Sequence, residues 1–307
     1  GNLNGFGGAI YSMNSSPAMS NVTFTANVGY DSGGGMYNEG GSPTLSNVTF
    51  SQNSAYTSGG GGMYNKSSTP SLNTVTFNNN VAEDTTPLPG YTADGGGMVN
   101  NESSPTLQNV TFSQNLTDGY GGGMHNYGNS DPTLTNVTFY GNTASLGGGM
   151  ANMPNLSFGY SDPTLENVTF HANQANQGGG IYASNSNAVV NGALFKGNYV
   201  FHDGAGIYLT LYSDFQLTNV TFGGINQAVD YGGAMFITGY SDPTLTNVTI
   251  SENGASYYGA LYIQDNSQPT LTNVLISGNA VGECYLDGTS SLNASSTTRM
   301  QSFISST

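Results

Sequence analysis

One phrase recurs along the whole chain. A glycine run is followed by an apolar residue and an aromatic one. A second, alternating segment then ends in an aromatic and an asparagine. The apolar residue after the glycines stands at Ile10, Met36, Met63, Met98, Met124, Met150, Ile181, Ile207, Met235 and Leu261. These positions lie 26 to 28 residues apart, except where insertions at residues 81–94 and 153–160 stretch the spacing. The closing aromatic column runs from Phe24 and Phe50 to Phe222, then Ile250 and Ile276. Within a unit the alternation has a period of two, as in Gly35-Met36-Tyr37 and Val48-Thr49-Phe50, which is the signature of strands. Glycine and asparagine interrupt every few residues, too often for a helix of ordinary length.

Several short strands per unit, each unit stacked on the last, predict an all-β parallel solenoid of about ten rungs. At about 4.8 Å per rung the rod would be roughly 48 Å long. The rungs begin near Gly7, Gly33, Gly60, Gly95, Gly121, Gly147, Gly178, Gly204, Gly232 and Gly259, within a solenoid domain of residues 1–280. The insertions carry Pro87, Pro89, Tyr91, Met153, Pro154, Phe158 and Tyr160, and read as surface loops packed on a face. Residues 281–307 lose the repeat, turn Ser/Thr-rich and read as a C-terminal cap or tail. There Met300, Phe303 and Ile304 fall at i, i+3, i+4, the spacing of one helical turn acting as a lid. The alternative is a tail lying across the next subunit. A competing fold also fits one half of the unit: Leu45-x-x-Val48-x-Phe50-x-x-Asn53 reads as a leucine-rich repeat. The other half argues against it, because glycine triplets disfavour helix by about 1 kcal/mol per residue relative to Ala.

Each polar column has its own reading. Asn-Val-Thr occurs at Asn21, Asn47, Asn109, Asn136, Asn167, Asn219 and Asn247. Gly192 replaces the Asn of one unit, which points to a left-handed turn residue. The same triplet is an N-glycosylation acceptor. Asn101, Asn115 and Asn155 head further sequons and read as loop glycan sites. A second asparagine column is unbroken, at Asn27, Asn53, Asn80, Asn115, Asn142, Asn173, Asn198, Asn226, Asn253 and Asn279. It reads as a stacked amide ladder in a turn. A threonine column from Thr23 to Thr249, broken by Leu194 and Leu275, fits a solvated β-face or an ice-binding array. Tyr11, Tyr37, Tyr64, Tyr182, Tyr208, Phe236 and Tyr262 form an aromatic column, replaced by Val99, His125 and Ala151 in the middle rungs. It reads equally as a contact face for glycan or protein and as a self-stacking row.

The pairing of Gly-Gly-Ala-Ile at residues 7–10 with Phe24-x-x-Asn27 resembles the passenger repeats of chlamydial polymorphic membrane proteins. More broadly, residues 7–280 resemble the right-handed parallel β-helix of pectate-lyase-like and autotransporter adhesin proteins. The resemblance implies right-handed coiling on an architecture that carries adhesins, lyases and inert spacers alike.

Charge narrows the choice. Three basic residues against 18 acidic ones, for a net charge of −15, leave no phosphate-neutralising surface and no attraction to anionic membranes. No apolar run is long enough for a membrane-spanning helix, and no signal-like segment is seen, so any signal is removed or lies outside these residues. Cys284 is alone and forms no disulfide framework. The carboxylate pairs and triplets of polygalacturonase-like enzymes are absent, and Arg299, the single arginine, sits in the tail. Asp131, Asp162 and Asp242 behave as turn residues before Pro, with Asp131 and Asp162 close enough on neighbouring rungs to form at most a weak cation site. His125, His171 and His202 share no ligand spacing with Cys284 or each other. The sequence therefore points to a non-enzymatic extracellular or cell-surface structural or adhesive protein, with no cofactor and no metal. Its partners would be copies of itself, joined head to tail through uncapped rungs into a fibre, or a surface glycan or protein. A glycan-binding or glycan-cleaving module using the tyrosine face is the alternative.

Overall fold

The computed structural model describes residues 5–84, 93–155, 157, 159–295, 298–300 and 304–305. Strands alone form the regular structure among them, all stacked in parallel. The convex helical side that a leucine-rich arc requires is not formed, because its place is taken by the strand after each glycine run. That strand, as Met36–Glu39 or Met124–Tyr127, builds a twelve-stranded sheet in strict chain order from Ile10–Met13 to Ile304–Ser305. A second and third face come from pairs such as Thr133–Thr135 and Thr138–Tyr140, hinged at left-handed Asn136 (φ 55°). Very short strands such as Ser54–Ala55 add a fourth side.

Register places like on like: Leu107 faces Leu134, and Phe112 faces Phe139. Consecutive phenylalanines from Phe50 to Phe222 stack at centroid distances of 4.7–4.9 Å. Together with the Met, Leu and Val columns they form one continuous buried core. The recurring glycines sit at close approaches. Gly33 turns the chain at φ 68°, and a Cβ there would lie 2.5 Å from the Met36 carbonyl. Gly35 makes room for a ring, since a Cβ would lie 2.7 Å from Phe50 Cδ1.

The unbroken asparagine column runs inside the wall. Asn142 Nδ2 donates to Asn173 Oδ1 (3.0 Å) and to the Phe112 carbonyl (3.0 Å). Asn142 Oδ1 accepts from both Asn115 N (3.0 Å) and Asn115 Nδ2 (2.9 Å). The pattern repeats from Asn27 to Asn279, so each of these buried amides is satisfied by its neighbours. A further ladder was not anticipated. Asn65, Asn100, Asn126 and Asn152 point inward from the first sheet, joined Nδ2 to Oδ1 at 2.8–3.0 Å. It stops where Ala183 follows Asn152, leaving Asn152 Nδ2 unpaired.

The pairing does not stop at residue 280. Cys284–Leu286 pairs with Leu261–Ile263, Asn293–Ala294 with Thr270–Thr272, and Arg299–Met300 with Leu275–Ser277. The segment expected as a cap or tail thus builds an eleventh turn. Met300 lies in a strand opposite Ile276, against the core, and Ile304 lies in another strand, so neither takes part in a helical turn. Phe303 lies outside the described residues. Register explains the correction: Cys284, Leu286, Ala294 and Met300 occupy the slots of Leu261, Ile263, Leu271 and Ile276 with different residues, so the turn persists where the phrase is lost.

Of the first insertion, Val81–Ala82 continues the short sheet and Asp94 bridges to Gly59; Pro87, Pro89 and Tyr91 lie outside the described residues. In the second, Met153 ends a strand and Asn155 bridges to Gly159, while Phe158 is likewise outside.

Candidate functional site

The tyrosine column faces away from the core, as the period of two requires, yet most of it is not available for contact. Tyr37, Tyr64 and Phe236 are buried, and Tyr11, Tyr182, Tyr208 and Tyr262 are half-buried. Rings cover rings. Tyr11, Tyr37 and Tyr64 stack at 5.3–5.4 Å, and Tyr182, Tyr208, Phe236, Tyr262 and Tyr285 at 4.6–5.2 Å. Residues just before the glycine runs cover the outer side, as Tyr231 does over Tyr262 at 4.6 Å. Burial pushes the Tyr182 phenol up to about 12, and raises those of Tyr37, Tyr208 and Tyr262 as well. Between the two stacks, at Val99, His125 and Ala151, the row breaks and a notch opens.

The sequon asparagines fall into two groups. Asn21, Asn47, Asn109, Asn136, Asn167, Asn219 and Asn247 are exposed at φ 54–56°, on the outer corner. Several bond along the rod, with Asn47 Nδ2 donating to Asn21 Oδ1 (2.6 Å) and Asn247 Nδ2 to Asn219 Oδ1 (3.2 Å). Of the three asparagines expected in loops, only Asn155 lies in one, the second insertion. Asn115 is fully buried in the inner ladder, where a glycan has no room. Asn101 ends the strand Met98–Asn101 and donates to Tyr64 Oη (3.1 Å). Asn155 is half-buried and donates to Tyr127 Oη (2.8 Å).

Exposed aromatic rings lie outside the tyrosine column, Tyr30 and Tyr257 among them, and two of them stack on the turn between the first and second faces. Tyr212 and Tyr240 are 56% and 51% exposed and stack at 5.4 Å. Both have φ 61°, in a slot that Asn129 and Asn266 fill elsewhere. Each is followed by a buried serine and an exposed aspartate, Asp214 and Asp242. The aspartates run up the rod as a turn ladder: Asp242 N donates to Asp214 Oδ1 (2.7 Å), and Asp162 N to Asp131 Oδ1 (2.7 Å). Asp131 and Asp162 therefore do meet, in the turn role that their place before Pro suggests. Of the two readings of the tyrosine column, the ring stacking is what the geometry displays. The available signal for the exposed pair was Tyr-Ser-Asp recurring at residues 160–162, 212–214 and 240–242 where other units have Asn-Ser. Among the described residues no three His, Cys, Asp or Glu side chains are grouped to hold a metal ion.

Rung-on-rung parallel pairing with left-handed corners defines a β-solenoid, and the chain belongs to the right handed beta helix region family, which matches residues 7–222 and 193–301. Among solved structures it is similar to tailspike protein 3 of bacteriophage CBA120, at 11% identity and a TM-score of 0.23. That match covers 96% of this chain and 51% of the tailspike chain, so this chain spans about half its length. No curated protein matches the chain.

Proposed function

We propose that the chain is an extracellular, surface-displayed structural rod with an adhesive edge for glycan contact. The observation that carries the proposal is the pair Tyr212 and Tyr240, held exposed at φ 61°. A bulky residue in left-handed backbone costs roughly 1–2 kcal/mol. Asn avoids most of that cost at the equivalent Asn129 and Asn266. Keeping tyrosine there favours a role for the exposed rings. Stacked aromatic faces beside exposed carboxylates suit sugar rings and their hydroxyls. Tyr212→Asn with Tyr240→Asn is expected to unfold at the same or a higher temperature while losing signal on a glycan array. A wild-type chain that binds nothing on the array, or a double variant that binds equally well, overturns the adhesive edge.

Head-to-tail association is part of the same proposal. All sheets run parallel, so the strand edges at Ile10–Met13 and at Ile304–Ser305, the two ends of one sheet, offer complementary donors and acceptors. The contact is heterologous and propagates rather than closes. Light scattering on the purified 307-residue chain should show growth with concentration; a monomer at every concentration removes the fibre. Any N-glycans are proposed for the exposed corner column, Asn21 to Asn247, and not for Asn115.

A further inference from the structure

The break in the tyrosine row is a built cavity. In the register of the first sheet, Tyr64 is followed by Val99, His125 and Ala151 before the rings resume at Tyr182. Losing three rings in succession leaves a notch of about 370 Å³, at the small end of ligand sites. Tyr64 bounds one end, and Tyr120 and Tyr127 flank His125, their centroids 5.6 and 5.9 Å from its ring. Met153 and Pro154, from the second insertion, form the rim.

His125 is the unusual member. It is 4% exposed, and among the described residues neither ring nitrogen makes a hydrogen bond. Its Nδ1 lies 3.3 Å from Asp94 Oδ2, and Asp94 Oδ1 is fixed by accepting from Tyr120 N (2.9 Å). A proton on Nδ1, toward Asp94, makes Nε2 an acceptor with nothing to accept. Leaving a buried polar atom unpaired costs about 1–3 kcal/mol, and the apolar Val99 and Ala151 beside it show that the slot does not need one. The hydroxyls of Tyr64 and Tyr127 accept from Asn101 and Asn155, which leaves each O–H hydrogen to donate.

We infer that this notch binds a single neutral sugar residue, whose C–H face lies on the tyrosines and whose hydroxyls donate to His125 Nε2 and Asp94. Aromatic walls with a few convergent donors and acceptors match such a ligand in polarity. An anion would meet Asp94 and a chain of net charge −15. A cation would find one carboxylate already facing the imidazole. The site is distinct from the Tyr212–Tyr240 edge and stands whether or not that edge binds.

The chain has three histidines, so imidazole resonances in long-range proton–nitrogen spectra can be followed singly, with His171 and His202 as internal controls. Titration with the methyl glycosides of glucose, galactose, mannose, fucose and N-acetylglucosamine should shift His125 with at least one of them and leave the other two in place. His125→Val, and independently Val99→Tyr, which extends the ring row into the notch, should each weaken binding at least tenfold by calorimetry. The Tyr212→Asn, Tyr240→Asn double variant should bind the same glycoside as wild type, which separates failure of this site from failure of the edge. No shift of His125 with any glycoside, or full binding by a folded Val99→Tyr variant, overturns the inference. So does a shift of His125 by choline chloride alone, which would assign the notch to a cation.

Discussion

At the scale of single residues the repeat is a set of steric agreements. The glycine before each Met or Ile leaves room for the phenylalanine of its own turn: a Cβ on Gly206 would lie 2.8 Å from Phe222 Cδ1. In the next two turns that glycine becomes Ala234 and Ala260, and the phenylalanine becomes Ile250 and Ile276. In those turns the two positions change together and share one volume, whereas the first turn keeps Ala9 with Phe24; a Cβ on Gly206 would also meet the Ala234 carbonyl, at 2.4 Å. Gly206→Ala alone should therefore cost about 1–3 kcal/mol by overpacking. Phe222→Ile alone removes a stacked ring, 4.8 Å from Phe195. The double variant should unfold in urea at a concentration above that expected from summing the two losses. Strict additivity would show that the covariation is not steric. This correlation is legible in the sequence only where Gly and Ala are told apart, since both fit the small-residue slot. The asparagine ladder was easier, since the same residue recurs in every turn at one offset.

At the scale of elements, strands and corners were legible because period two and left-handed residues leave direct marks: all ten residues of the Asn21 column, Thr74 and Gly192 included, have positive φ. Exposure was not legible. Period two gives the direction of Tyr37 and Tyr64, but whether an outward ring is covered depends on the segment before the next glycine run, whose residues vary from Ser32 to Asp94 to Tyr258. The inner Asn65–Asn152 ladder was hidden for a related reason, since an asparagine at a strand end looks like a turn. The eleventh turn was hidden by substitution within unchanged slots. It carries a direct probe. Cys284 is buried in that turn, and burial pushes its thiol up to about 12. A neutral, covered thiol reacts slowly. Cys284 should resist a disulfide reagent in native buffer and react fully in denaturant. Rapid reaction in native buffer would mean that Cys284–Leu286 is not docked on Leu261–Ile263.

At the scale of the whole molecule, a rod stabilised by neutral ladders carries most of its charge on the surface, with few cations to offset 18 acids. Burial raises the carboxyl of Asp203, with Asp230 adding to the effect, while hydrogen bonds from Tyr231 N and Gln177 and nearby His202 oppose it. Burial, then Asp162, raises Asp131 against the bond from Asp162 N. An acid whose folded value lies above its unfolded one binds protons more readily when folded, so it adds stability as pH falls through the folded value toward about 4. Two groups act the other way. Burial raises Asp287 too, but bonds from Asp265 N, Ser290 and Thr289 leave it below its ordinary value, so its contribution is lost on acidification. Burial and then Lys196 lower His171, which costs stability as pH falls below about 6.5. The wild-type profile therefore mixes signs, and a difference between variants isolates one of them. Asp203→Asn keeps an oxygen for Tyr231 N, which Asp203 Oδ1 now accepts at 3.1 Å, and removes the charge. Its thermal midpoint should exceed that of wild type at pH 7, with the gap narrowing as pH falls through the raised folded value of Asp203 toward about 4. A gap that is absent at pH 7, or that persists undiminished at pH 4, would show that the buried charge of Asp203 does not limit the stability of the rod.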